Sequence, residues 1–171
     1  MGIHIKTEAE IQAMREGGKI LAAILKALAE YLKPGLTTMD LEKKAEKLFE
    51  EYGVIPGFKG YHGYPAILCT SVNDEIVHTI PNDVPLNKGD ILSVDCGVLL
   101  KELNTDSAIA LIVGGETTPE AQKLVDTCKR ALWKGIKQVK PGNKVGDIGH
   151  AIEAHVKQNG FRVVPELTGH G

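Results

Sequence analysis

The strongest constraint on this chain is that it repeats. A shift of 107 residues lays Lys33-Pro34-Gly35 on Lys140-Pro141-Gly142, Asp40-Leu41 on Asp147-Ile148, Glu46 on Glu153 and Gly53 on Gly160, with Leu25 on Leu132 upstream. Each copy reads as helix, Pro-Gly break, helix, glycine, strand. Such a duplication predicts an α+β domain with a pseudo-two-fold axis, its halves at about 7–113 and 114–171. Strands that follow the second helix of the first half would recur beyond residue 171. The reading therefore expects an incomplete second half, a C-terminally shortened form of a larger domain.

Local signals fill in the elements. Thr7-Glu8-Ala9-Glu10 has capping-box spacing and starts a helix with Ile11, Met14, Ile20, Leu21, Ile24, Leu25, Leu28 and Leu32 on one stripe. Lys33-Pro34-Gly35 stops it, and Thr37 or Thr38 caps a second helix that Gly53 ends. Pro56 to Pro65 is a Gly- and aromatic-rich loop, followed by strands at Ala66–Ser71 and Glu75–His78. Thr118-Pro119-Glu120 starts a third helix, with Ala121, Leu124, Val125, Cys128, Leu132 and Ile136 as its buried stripe, ended by Lys140-Pro141-Gly142. A fourth helix is expected over Val145–Gln158 and a strand over Phe161–Val164.

The chemistry concentrates in one hairpin, Ile91 to Val113, where two apolar, β-prone runs carry one acid each, Asp95 and Asp106. A turn near Leu100 and Lys101 puts the acids directly opposite on one face. Two bare carboxylates that close repel, and a divalent cation reverses the sign of that term. The competing reading makes Asp95 a strand-end residue and Asp106 a turn residue.

The totals exclude other classes. A net charge of −2 gives no electrostatic case for nucleic acid. Cys69, Cys96 and Cys128 lack C-x-x-C spacing, which argues against a zinc knuckle or a disulfide framework. No apolar run is long enough to span a membrane, the N-terminus lacks a signal-peptide core, and Met1-Gly2 lacks the hydroxyl residue at position six that myristoylation needs.

Several motifs stand in order: Gly60-Tyr61-His62-Gly63-Tyr64-Pro65; Ser71-Val72-Asn73-Asp74-Glu75-Ile76-Val77-His78; Asp90-Ile91-Leu92-Ser93-Val94-Asp95-Cys96-Gly97; Asp106-Ser107-Ala108; and Gly169-His170-Gly171. From about Thr7 to the last residue the set resembles the type I methionine aminopeptidases, which have the pita-bread fold. The resemblance implies a cytoplasmic metallo-exopeptidase that removes the initiator methionine from nascent chains by two-metal hydroxide attack on the first peptide bond. It implies Asp95, Asp106 and His170 as metal ligands; the family's other two ligands, both glutamates, are expected beyond residue 171. Hard carboxylates plus one imidazole suit Co, Mn, Fe or Zn. The family site holds two such ions, and one or none is expected here. His78 is implied as the catalytic histidine that hydrogen-bonds the substrate peptide. Tyr61, His62, Tyr64 and Cys69 are implied to line the methionine pocket. His4, His150 and His155 read as structural or surface residues.

The chain departs from the pattern at Asn104-Thr105, where the family usually has His-Gly, at Lys101-Glu102, where an Asp-Gly turn is common, and at Thr79, in place of a glycine. The expected partners are N-terminal Met peptides and nascent chains, with the ribosome left open, no nucleic-acid specificity and no membrane. The alternative is a non-catalytic fragment or paralogue that folds, binds a metal weakly and self-associates by completing its sheet with a second copy. A creatinase or prolidase is the third option, and the Tyr-His-Gly-Tyr-Pro loop argues against it. The reading expects little peptidase activity from this chain alone.

Overall fold

The computed structural model describes residues 4–170. The N-terminal myristoylation reading, at Met1-Gly2, and the last residue of Gly169-His170-Gly171 lie outside them. The chain forms two compact units, Met1–Thr117 and Thr118–Gly171.

In the first unit, α1 (Glu8–Tyr31) opens with the expected capping box: Glu10 accepts from the Thr7 backbone at 2.6 Å, and the Glu10 amide donates to the Thr7 hydroxyl at 3.3 Å. α2 (Thr38–Tyr52) repeats the device with Thr37 and Asp40 and ends at Gly53, whose φ of 63° is the left-handed cap. Both helices turn their apolar stripes inward. Ile24, Leu28, Leu41 and Ala45 are completely buried in a core with Leu68, Leu92, Val94 and Val98.

Those last four belong to an antiparallel sheet of β1 (Ile55–Pro56), β2 (Leu68–Val72), β3 (Ile91–Leu100) and β4 (Leu103–Ile112). β3 is central, with β1 and β2 along one side and β4 along the other. The expected strand at Glu75–His78 does not form. Residues 73–82 run as irregular backbone, and the Val77–His78 peptide bond is cis.

The second unit holds α3 (Pro119–Ile136) and α4 (Val145–Gln158). α3 begins as expected, with Thr118 as cap and Pro119 in the first turn, but stops at Ile136 rather than at Lys140. Its buried row also differs from the expected stripe. Thr127, Ala131 and Gly135 are buried, while Leu124, Cys128, Leu132 and Ile136 are exposed. The reason is the partner: α3 packs on α4, and a Cβ on Gly135 would lie 2.8 Å from Ile152 Cδ1. A helix meeting a helix this closely wants its smallest residues at the crossing, not its largest. The expected strand at Phe161–Val164 is irregular backbone. No described helix is long and apolar enough to cross a membrane.

Candidate active site

The hairpin register corrects one expectation. The turn falls on Lys101 and Glu102, both with positive φ (52° and 65°), and Leu100 pairs with Leu103. Asp95 therefore lies opposite Ala108, and Asp106 opposite Gly97, so the two acids are diagonal rather than directly opposed. Moving a turn by one residue moves every pairing by two, which preserves the face. Asp95 and Asp106 still share one side of the sheet, at the roughly 7–8 Å spacing of diagonal neighbours. That gap is wide enough for oxygens from both to meet a cation between them.

β2 extends the same face. Cys69 pairs with Asp95, so the buried Cys69 thiol joins the carboxylate side, whereas Cys96 points to the core. Burial pushes the Cys69 thiol up, and the charges of Asp95 and Asp106 push it the same way. Burial raises Cys96 as well, with a smaller contribution from Asp95. The carboxylates thus impose a negative field on this face, which is what a divalent cation neutralises. By this donor chemistry the residues present fit a metal. Among the described residues no three His, Cys, Asp or Glu side chains form a metal-holding group.

Tyr64 is half-buried beside Cys69. Its hydroxyl donates to the Leu68 carbonyl at 2.9 Å and lies 3.2 Å from the Thr79 carbonyl. Burial, then the Cys69 thiol, hold its phenol well above the usual range. Tyr61 and His62 lie on a single 3-10 turn, Tyr61–Gly63, and stack edge to face at 4.4 Å, both exposed. His78 is exposed on the irregular 73–82 segment. His170, in the second unit, is exposed on irregular backbone after α4.

Sequence reasoning missed two contributors. Glu42 is buried, and its carboxylate accepts from the Ile67 and Leu68 amides at 2.6 and 3.0 Å, fixing the start of β2 to α2. Burial raises its carboxyl despite those two bonds. Position 42 lies on the inward side of α2, between Leu41 and Ala45, but a carboxylate there gives no signal by its type. Phe58 is the other. A Cβ on Gly97 would lie 2.7 Å from the Phe58 ring, so any larger residue opposite Asp106 would displace the ring from this side of the sheet. Nothing local distinguishes Phe58 from its aromatic neighbours.

With this geometry in view, the class of protein follows. The chain belongs to metallopeptidase family M24, which it matches over residues 12–171. Enzymes of this family work with bound divalent metal ions. Its relatives include a methionine aminopeptidase of Clostridium acetobutylicum, 43% identical over 99% of this chain and 68% of that protein. Methionine aminopeptidase 1 of Bacillus subtilis is 40% identical over 97% of this chain and 66% of its own length. Among solved structures, methionine aminopeptidase from Thermotoga maritima superposes with a TM-score of 0.96 at 40% identity, over 99% of this chain and 68% of that one. Aminopeptidase P of Escherichia coli, at 20% identity and a TM-score of 0.79 over 90% of this chain and 34% of that one, shares the fold alone. The fold is the pita-bread fold of these neighbours.

Proposed function

We propose that this chain carries the site of a metal-dependent aminopeptidase that removes an N-terminal methionine. The observation that carries the reading is the diagonal pair of Asp95 and Asp106 on one sheet face, beside Cys69 and Tyr64, in a chain of family M24. The names of the relatives support methionine as the residue released.

Asp95 and Asp106 would hold the metal, which when bound polarises the scissile carbonyl and activates water. The rest of the work belongs to the chain. Cys69 and the ring of Tyr64 offer a soft, partly buried wall that suits an unbranched thioether. Tyr61 and His62, exposed beside that wall, would close over the side chain once it enters. His78, exposed and free of strand pairing, would donate a hydrogen bond to the substrate peptide oxygen as charge develops there. Nascent chains as substrates imply a cytoplasmic enzyme working near the ribosome.

The test is methionine release from a Met-Gly peptide with added Mn, Co or Fe, read beside Mn binding by calorimetry. Whatever methionine the wild type releases should require metal, and its rate also tests the expectation of little activity from this chain. Asp106→Asn should lose at least about 100-fold of the rate, the scale of a lost charge-stabilising group, and most of the Mn binding. Equal release by Asp106→Asn, or release without metal, would overturn the reading. Binding without release would overturn its catalytic part.

A further inference from the structure

His78 has no strand to hold it. The residue that follows it, Thr79, does the holding. The Thr79 carbonyl accepts from the Thr70 amide at 2.9 Å, which pins the segment to the outer edge of β2. The Thr79 hydroxyl accepts from Ser71 Oγ at 3.3 Å and reaches the Ile76 carbonyl at 3.4 Å. The resemblance led us to expect a glycine here, which would supply the carbonyl and no hydroxyl.

A third group meets this anchor from another segment. The Tyr64 hydroxyl lies between the Thr79 carbonyl, 3.2 Å away, and the Leu68 carbonyl, 2.9 Å away. A phenol has one proton to give, so the two carbonyls share or exchange it. One hydroxyl therefore joins the aromatic loop, the start of β2 next to Cys69 and Asp95, and the residue beside His78. We propose that the Tyr64 hydroxyl is a positioning group for His78, acting through the Thr79 carbonyl. This rests on the aminopeptidase reading above, because it gives the hydroxyl a role in turnover that a pocket wall does not have. A wall needs only the ring.

Tyr64→Phe separates the two roles, since it keeps the ring and removes the hydroxyl. Two measurements need no turnover. Amide exchange at Thr70 should quicken about fivefold, the worth of one modest hydrogen bond, while amides within β3 and β4 keep their rates. The His78 ring NMR signal, expected to be single in the metal-free wild type, should broaden or split in the variant. With Mn and a Met-Gly peptide, kcat should fall about tenfold and KM should change less than twofold. If Tyr64 is a wall only, Tyr64→Phe leaves the Thr70 exchange, the His78 signal and kcat unchanged, and Tyr64→Ala raises KM. That set of results overturns the proposal. Wild type that releases no methionine would sink the aminopeptidase reading instead, and the exchange rate and ring signal would still decide whether the strut exists.

Discussion

The same helix–turn–helix unit occurs twice in this chain and is buried in two different ways. The 107-residue offset carries the start of α2 onto the start of α4. It carries Gly35 (φ 87°) onto Gly142 (φ 89°) and Gly53 (φ 63°) onto Gly160 (φ 86°). Thr37 and Asp40 fall on Lys144 and Asp147, where the Lys144 amide still donates to the Asp147 carboxylate at 2.7 Å. The row facing the core does not travel. Leu21, Ile24, Leu25 and Leu28 of α1 are all buried, and their equivalents in α3 are Cys128, Ala131, Leu132 and Gly135, of which only Ala131 and Gly135 are. Sizes are also exchanged between the helices of each pair. The first unit has Leu28 on α1 and Ala45 on α2; the second has Gly135 on α3 and Ile152 on α4. Caps and left-handed glycines depend on a few neighbouring residues, so a recurring local pattern reproduces them. Burial depends on what a face meets, and within each unit the two pairs meet different things: the first packs on a four-stranded sheet, and in the second α3 and α4 pack on each other.

The largest test of that difference is a matched pair of truncations. Ile24, completely buried against the sheet, should cost about 2–5 kcal/mol as Ile24→Ala. Leu132, 54% exposed, should cost no more than about 0.5 kcal/mol as Leu132→Ala. Urea unfolding measures both. Equal losses would mean that the α3 face is covered in solution, and the contrast between the units would fail.

A second test sharpens the part that the repeat does carry. α4 has half a capping box, because Lys144 offers its amide to Asp147 and has no hydroxyl to accept in return. Lys144→Thr should complete it, as Thr37 does for α2, and stabilise by about 1 kcal/mol. Thr37→Ala should lose a similar amount. Thermal unfolding of the two variants reads the pair. A neutral Lys144→Thr would show that the second helix pair does not use its cap as the first does.

These contrasts explain what was legible in the sequence. The capping box at Thr7, a threonine cap at position 37 or 38, the proline start at Pro119, the span of α4 and the hairpin itself are local and were readable. The shared face of Asp95 and Asp106 was readable too, because parity survives a misplaced turn, but their opposition was not. The turn sits on Lys101 and Glu102, two residues that rarely adopt positive φ, so their types gave no turn signal and only the resemblance marked the position. The strands expected at Glu75–His78 and Phe161–Val164 fail for a non-local reason. A strand needs a partner edge, and neither segment pairs with one among the described residues. Glu42 was hidden by its type, since a carboxylate inside an apolar stripe is rarely a guess worth making until the two amides that hold it are seen.

The smallest effect comes from pH, and its sign distinguishes the caps from the core of the same unit. Glu10 is held down to about 2, first by the Thr7 backbone amide and then by His4 and the Thr7 hydroxyl. Asp40 is lowered in the same way by the Thr37 amide. A carboxyl lowered by folding gives stability that is present above its ordinary pKa, near 4.5 for Glu10, and lost as pH falls toward about 2. Glu42 runs the other way. Burial raises it, so its protonation favours the folded state, and its contribution declines as pH rises through that raised value. The acid limb of the stability curve should therefore flatten in Glu10→Gln, which no longer loses a charge there. It should steepen in Glu42→Gln, which no longer gains a proton. Thermal midpoints between pH 2.5 and 6, on the order of the pKa range for exposed and buried carboxyls, give both slopes. If Glu10→Gln leaves the limb as steep as in wild type, the Thr7–Glu10 cap is not what acid removes.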